Sequence, residues 1–337
     1  MSIVNISSDA KTKRNTLLQE IQDRVLWLSV QMVDYANNSR PSGGVKVGGH
    51  QSSSASVVTI MTYLYFEFMN SVDKISIKPH ASPVFHAIQF LLGNLAPEYL
   101  RELRAFHGLQ AYPSRTKDPD KVDFSSGSVG LGAVAPNFAW LTDQYIRSHI
   151  RSDMEPDRKF ISLLGDAELD EGVVWESIAE PLLSDMDRVI WIVDLNRQSL
   201  DRIIPGIRVK VWQDMFNANG WKVVEAKYGR LLNEAFSKPK GELLKQCIDK
   251  MSNEMYHRLI RAKPQTMREW LPYSSDHPDD LSKFISQWDD EQLPELLRDL
   301  GGHDFDVLRN SFCQIDDYDG PSVLFAYTLK GWKLPSM

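Results

Sequence analysis

Asp166, Asn196 and Gln198 are the side chains of this sequence whose types and spacing suit the binding of a hard cation. Asp166 offers a carboxylate directly after an apolar run, and the two amides follow a second apolar run. One carboxylate and two neutral oxygens are too few for a self-sufficient calcium cage. They suit magnesium, which prefers an octahedral array of oxygens and usually shares it with a diphosphate. We therefore expect a magnesium–diphosphate site.

The elements that must position these residues are two strands and a crossover helix. Short apolar runs at 160–164 and 189–193, each bounded by turn signals, predict buried parallel strands. The segment 172–183 between them has the pattern of a helix, which gives a βαβ unit. The carboxyl ends of such strands share one edge of the sheet. A helix beginning just after Asp166 would direct N–H groups and its positive dipole end to the same place. The competing interpretation is an ordinary turn and N-cap.

The stretch GDAELDEGVVWES…IVDLNRQSLD resembles the thiamine diphosphate signature of the transketolase superfamily, which includes the homodimeric type of pyruvate dehydrogenase component. The resemblance implies metal ligands at Asp166, Asn196 and Gln198, and cofactor contacts at Gly165, Ala167, Glu168 and Asn196. Two positions depart from the family pattern. Ala167 replaces a glycine in a tight turn, and Asp194 replaces an asparagine and adds a charge near the metal. Neither departure removes a proposed ligand.

Two histidines lie in further segments that resemble the same superfamily. His50 ends a glycine-rich loop before a predicted helix, as in the Gly-Gly-His of that superfamily. His80 follows Lys78 and Pro79, where the pyruvate dehydrogenase type has Gln-Gly. The resemblance implies that both histidines lie at the active site. A pKa near neutrality would suit them to proton relay or to binding an anionic oxygen. We predict no role for His107, although it lies in a similar His-Gly…Tyr-Pro stretch.

A third glycine-rich segment, SSGSVGLG at 125–132, precedes another predicted helix. By itself it indicates close packing of a helix. The resemblance implies that the backbone at Gly127 and the side chain of Val129 contact the rings of the cofactor. The motif Trp-Asp-Asp-Glu-Gln at 288–292 resembles the dehydrogenase and has no counterpart in transketolases.

The composition is that of an ordinary globular protein, with 42% hydrophobic and 25% charged residues among 337. A net charge of -7 argues against nonspecific binding of nucleic acid or of an anionic membrane. The two cysteines form no motif and favour a reducing compartment. The first residues contain no apolar signal core. We expect a cytoplasmic protein.

The predicted fold class is α/β, a mostly parallel sheet with helices on both faces. We expect a disordered leader at 1–11 and one diphosphate-binding domain at 12–337, with a helical insert at about 231–300. The resemblance covers the first of the three domains of the family. We expect the pyrimidine-binding and C-terminal domains to be absent from this chain. This implies a fragment, or one subunit of a homo- or hetero-oligomer such as a dimer whose second chain or domain carries the pyrimidine-binding half.

The resemblance implies a glycolysis-linked oxidoreductase that uses thiamine diphosphate and Mg²⁺ to decarboxylate a 2-oxo acid, pyruvate first. The acetyl unit would pass to a lipoyl group on an acyltransferase core. One alternative is a transketolase, or its N-terminal subunit, which moves a two-carbon ketol unit between sugar phosphates. Another is a non-catalytic partner subunit that only binds cofactor.

Overall fold

A parallel sheet forms the centre of the computed structural model, which describes residues 8–40, 46–151, 158–183, 185–196, 198–199, 202–203 and 206–335. The strands are β1 (Lys74–Ser76), β2 (Phe160–Gly165), β3 (Val189–Leu195), β4 (Gln198–Ser199), β5 (Arg202–Ile203), β6 (Lys222–Ala226) and β7 (Ser322–Tyr327). The main sheet has the order β1-β2-β3-β7-β6, and every neighbouring pair in it is parallel. The short strands β4 and β5 form a separate antiparallel pair.

Helices surround this sheet. They are α1 (Ser8–Asp34), α2 (Gln51–Tyr63), α3 (Ser82–Leu91), α4 (Leu131–His149), α5 (Gly172–Ile178), α6 (Gly206–Ala218), α7 (Arg230–Phe236), α8 (Gly241–Lys250), α9 (Asn253–Ile260), α10 (Pro264–Tyr273), α11 (Pro278–Ile285), α12 (Gln292–Leu297) and α13 (Phe305–Asp316). In the part of the chain that is described, no helix has the length and apolar character needed to cross a bilayer.

The central strands are buried on both faces because alternate side chains enter two different hydrophobic clusters. Trp191 and Phe325 point to one face, where they pack with α4, α5, α6 and the helices α7 to α12. Ile190, Ile192 and Leu324 point to the other face and pack with α1, α2, α3 and α13. The predicted fold class, a parallel sheet with helices on both faces, is confirmed.

One predicted boundary of the crossover helix is wrong, and so is the helix N-terminus expected just after Asp166. The crossover helix ends at Ile178 and not at 183, because Pro181 begins a separate 3₁₀ turn and cannot continue the helix. The helix begins at Gly172, as predicted, and a 3₁₀ turn occupies Asp166–Asp170 before it. A helix N-terminus beside Asp166 is therefore not present.

The amino-terminal helix begins inside the predicted leader. Residues 8–11 were expected in a disordered leader, but α1 begins at Ser8. Lys11 in its second turn lies 3.3 Å from the carboxylate of Asp306 on α13, which gives this end of the helix a partner. The rest of the predicted leader, 1–7, lies outside the described residues.

Candidate functional site

The candidate site lies at the carboxyl edge of the sheet, where β2 and β3 end side by side. Gly165 is the register partner of Asp194, so Asp166 and Asn196 leave the two strands next to each other. Both of these side chains are buried. Gln198 begins β4, and its side chain lies outside the described residues. The structure thus brings two of the three predicted metal ligands to one edge.

The 3₁₀ turn after β2 is held by Glu168. Its carboxylate accepts a hydrogen bond of 3.0 Å from the Gly165 N–H and another from the backbone of Gly130, on the glycine-rich loop before α4. Burial raises the pKa of Glu168 against the effect of these donors. Ala167 in the same turn is exposed, and its φ is not left-handed, so its methyl group fits without strain. Glu168 therefore links two loops of the site.

The carboxylate of Asp194 is the most heavily bonded group at this edge. Its Oδ2 accepts hydrogen bonds from Lys78 Nζ at 2.5 Å, Ser56 Oγ at 2.8 Å and Asn196 Nδ2 at 3.2 Å. Its Oδ1 accepts another from the hydroxyl of Thr328, just beyond β7. Asn196 donates through its amide nitrogen, so its carbonyl oxygen is directed away from Asp194. The carboxylate orients Asn196, and its Oδ2 is occupied by three donors.

Lys78 and Asp194 form a buried ion pair, although each position was noted separately as a departure from the family pattern. Burial opposes the charged form of Lys78, but attraction and a hydrogen bond to Asp194, with further attraction to Asp166 and Glu168, raise its pKa. Burial likewise opposes the charge on Asp194, but Lys78 and the two hydroxyl donors lower its pKa. Both groups are therefore charged at neutral pH.

His50 and His80 face each other at the same edge, with ring centroids 4.3 Å apart. His50 is placed directly before α2 by a loop in which Gly49 has φ +142°, and a Cβ there would come within 2.7 Å of Val33. His80 lies in a 3₁₀ turn beyond β1, and its Nε2 is 3.4 Å from the hydroxyl of Tyr112. The two predicted histidines are thus brought together.

The expectation that these histidines titrate near neutrality is wrong. Burial is the largest cause and lowers the pKa of both rings, that of His80 to about 4. The positive charges of Lys78, Arg104 and Lys330 lower both pKa values further. Both imidazoles are therefore neutral at pH 7, and each has one N–H donor and one acceptor nitrogen.

The loop before α4 presents a small and an apolar residue at the edge. A Cβ on Gly127 would meet only Val129, at an ordinary 3.9 Å, so the fold itself does not require glycine there. Gly130 differs, since its φ is +79° and a Cβ would lie 2.9 Å from Glu171. The side chain of Val129 is 53% exposed. The loop therefore has open space at Gly127 beside an accessible apolar side chain.

Arg104 is the site residue that sequence reasoning missed, because no motif surrounds it. Its guanidinium donates a 2.7 Å hydrogen bond to the carbonyl of Val47, in the loop that leads to His50. His107, by contrast, is exposed and stacks edge-on against Phe106. Within the described ranges, no group of three or more His, Cys, Asp or Glu side chains is arranged to hold a metal ion.

This geometry agrees with the protein family that the chain matches. The family described as transketolase, thiamine diphosphate binding domain, matches residues 23–239. The chain belongs to this family. The matched segment contains every residue discussed above at the strand ends except those that follow β7.

Curated relatives include proteins named pyruvate dehydrogenase E1 component. That of Cupriavidus necator is 26% identical over 335 residues, which cover 93% of this chain and 36% of the relative. That of Pseudomonas aeruginosa is 27% identical over 328 residues, with 93% and 36% coverage. The chain therefore spans little more than a third of the length of these relatives.

Solved transketolases share the fold. The transketolase of Campylobacter jejuni superposes with a TM-score of 0.61 at 19% identity, covering 93% of this chain and 38% of the other. That of Leishmania mexicana gives 0.60 at 15% identity, with 92% and 36% coverage. At such identities the likeness concerns the fold alone.

Proposed function

We propose that this chain binds thiamine diphosphate with Mg²⁺ at the carboxyl edge of its sheet, as part of an enzyme that decarboxylates a 2-oxo acid, pyruvate first. The observation that carries the proposal is the side-by-side exit of Asp166 and Asn196 from β2 and β3, in a chain of this cofactor-binding family. Ligands of open α/β sheets bind at such an edge.

The donor set fits a magnesium diphosphate. The Asp166 carboxylate supplies a hard anionic oxygen, and Asn196 supplies a carbonyl oxygen whose direction is fixed by the hydrogen bond from its amide nitrogen to Asp194. Gln198 is the proposed third protein ligand. Because Mg²⁺ takes oxygens in an octahedral array, the diphosphate completes the set. Gly165 and Ala167 would offer backbone, and Glu168 holds their turn in place.

The reacting end of the site is formed by neutral groups beside cations. Thiamine diphosphate, when bound, supplies a nucleophilic thiazolium carbon that also accepts electrons from the bond being broken. His50 and His80, both neutral at pH 7, can each donate one hydrogen bond to a carbonyl or carboxylate oxygen of the substrate. Gly127 leaves room for a ring to approach, and Val129 offers an apolar contact.

The proposal of pyruvate is supported by the curated relatives, which are named pyruvate dehydrogenase E1 component. We propose that the acetyl unit passes to a lipoyl carrier, as that assignment would require. We propose further that a second chain or domain carries the pyrimidine-binding half. This is supported by the length of the relatives, of which the chain covers 36%. A non-catalytic cofactor-binding subunit is the alternative that activity measurements would reveal.

Calorimetric titration of thiamine diphosphate tests the cofactor assignment. We expect thiamine diphosphate to bind in the presence of Mg²⁺. An Asp166→Asn variant should lose at least about tenfold in affinity, because the negatively charged metal ligand is removed. Asp170→Asn is the matched control. This carboxylate belongs to the same turn but is exposed and pairs with Arg208 at 3.0 Å on the surface. Equal affinity of Asp166→Asn and unmodified chain would contradict the proposed metal site.

The substrate is tested in the presence of a polypeptide that carries the pyrimidine-binding domain. We expect release of carbon dioxide from pyruvate with acetylation of a lipoyl acceptor. Ketol transfer from xylulose phosphate without pyruvate decarboxylation would instead assign the chain to the transketolase activity. Cofactor binding without either activity would identify a non-catalytic subunit.

A further inference from the structure

Lys78 is a buried cation that uses only part of its hydrogen-bonding capacity. Its side chain is 7% exposed, and its ammonium group carries three N–H donors. Among the described residues it makes one hydrogen bond, to Asp194. Burying a charged donor without acceptors is costly, so the remaining N–H groups call for a polar partner.

The position of this ammonium group is at the strand ends that form the proposed cofactor site. A Cβ built on Gly165 would lie 3.2 Å from Lys78 Cε and 3.6 Å from Nζ. Gly165 is the residue before Asp166 and is the register partner of Asp194. Lys78 therefore crosses from the end of β1 to the backbone of β2 and reaches the carboxylate on β3.

The surroundings of Lys78 indicate an anionic ligand. Asp194 already accepts hydrogen bonds from Ser56, Asn196 and Thr328 in addition to Lys78. With these three other donors, the carboxylate does not need Lys78 to fulfil its hydrogen-bonding capacity. The lysine, in contrast, has donors left over beside a proposed diphosphate site.

We propose that Lys78 is a diphosphate-binding residue, a cation built into the site that donates hydrogen bonds to the diphosphate oxygens of the cofactor. Asp194 is its counter-ion and also a positioning residue for Asn196. The proposal rests on the proposed function, since it deepens the account of the same site. Its consequence is that binding of the diphosphate depends less on Mg²⁺ than it would with neutral amides at both positions.

The test compares a double variant with the unmodified chain. Lys78→Gln together with Asp194→Asn keeps the net charge and puts amides at both positions. Thiamine diphosphate, and separately inorganic diphosphate, are titrated calorimetrically in saturating Mg²⁺ and in chelator. We expect the double variant to bind thiamine diphosphate about tenfold more weakly than the unmodified chain in chelator, and the difference to shrink in Mg²⁺.

A matched control exists at the other end of β1. Lys74 Nζ lies 2.8 Å from Asp123 Oδ1, outside the site. The double change Lys74→Gln with Asp123→Asn removes an equivalent ion pair and should leave both affinities unchanged. If Lys78→Gln with Asp194→Asn does not fold, Lys78→Gln alone serves, because Asp194 keeps its three other donors and gains the glutamine amide. Its expected loss in chelator is the same or larger.

The outcomes separate this inference from the proposed function. Equal affinities of the unmodified chain and the Lys78 variants in chelator would overturn the role of Lys78 and leave the magnesium site standing. No binding by the unmodified chain in either condition would overturn both. A loss in chelator that is as large for the Lys74 and Asp123 control would show a general effect of charge and would also overturn the inference.

Discussion

Strand β1 has a lysine–aspartate pair at each end, and the two pairs differ in burial. At the amino end of β1, Lys74 pairs with Asp123 at 2.8 Å, and the two side chains are 36% and 22% exposed. Just beyond its other end, Lys78 pairs with Asp194 at 2.5 Å, with side chains 7% and 0% exposed. An exposed pair is screened by water and contributes little, whereas a buried pair must offset the loss of hydration of two ions. The costly pair is at the edge with the histidines.

The two ends of the strands also differ in the volume of the nearby cavity and in how firmly their charged groups are held. A cavity of about 950 Å³ opens at the amino end of the strands, and Lys74, Asp123 and Arg158 are among the residues that line it. Charges there are partly hydrated and can adjust to solvent. At the carboxyl edge, charges are fixed by buried hydrogen bonds before any ligand arrives. Preorganised charge, and not cavity volume, distinguishes the candidate site.

The largest expected effect is on stability. Asp194→Asn removes the carboxylate that pairs with the buried Lys78, so we expect the free energy of unfolding to fall by about 3–5 kcal/mol. Asp123→Asn at the exposed pair should cost about 1 kcal/mol or less. Urea unfolding followed by circular dichroism measures both. Similar losses at the two ends would mean that burial does not distinguish the pairs.

A smaller effect is expected from pH. The unfolded chain protonates His80 near 6.5, whereas the folded chain does so only near 4. Between these values the unfolded state binds more protons, so the free energy of unfolding should decrease as pH falls from 6.5 to about 4. His80→Asn should make this decrease shallower, with His50 accounting for part of what remains. Urea unfolding at a series of pH values measures it.

The control for the pH experiment is His149→Asn, since His149 is exposed near the end of α4. Its profile should follow that of the unmodified chain.

Titration of His80 by NMR sharpens the comparison between the two ends of β1. Its pKa should rise when Lys78 is replaced by glutamine and should not respond to the same change at Lys74. A response to both would point to long-range charge only.

The smallest effect is expected at Gly127. Alanine fits there sterically, so folding should tolerate it, but the added methyl group would enter the space proposed for a cofactor ring. We expect thiamine diphosphate to bind about threefold more weakly, a change below 1 kcal/mol. Gly172→Ala is the control, because a Cβ there meets nothing within 4 Å and Gly172 is the first residue of α5. Equal binding by both variants would remove the role assigned to Gly127.

The sequence predicted the parts of this fold that depend on local pattern. The apolar runs predicted β2 and β3 to within two residues, and the order of strand and crossover placed Asp166 and Asn196 at one edge. The prediction of a helix just after Asp166 was wrong because a 3₁₀ turn occupies Asp166–Asp170 and is closed by the hydrogen bond from Gly165 to Glu168. That hydrogen bond is a side-chain contact, and such contacts leave no periodic pattern in the sequence.

The rest could not be predicted because it joins distant segments. Lys78 and Asp194 looked like two independent departures, and only the register of β1, β2 and β3 shows that they compensate each other. The low pKa of His80 comes chiefly from burial, and the charges that lower it further include Arg104 and Lys330, which come from a loop and from the turn after β7. Complementary charges at two positions where the family has amides were the one available clue to the pair.

The carboxylate of Asp194 also has a consequence for the order of folding. Its donors come from α2, from the turn after β1, from the end of β3 and from the residue after β7. Contacts between such distant segments form slowly, because long loops must close first. The site therefore assembles late and as a unit. During synthesis, a nascent chain cannot complete it until Thr328 has left the ribosome.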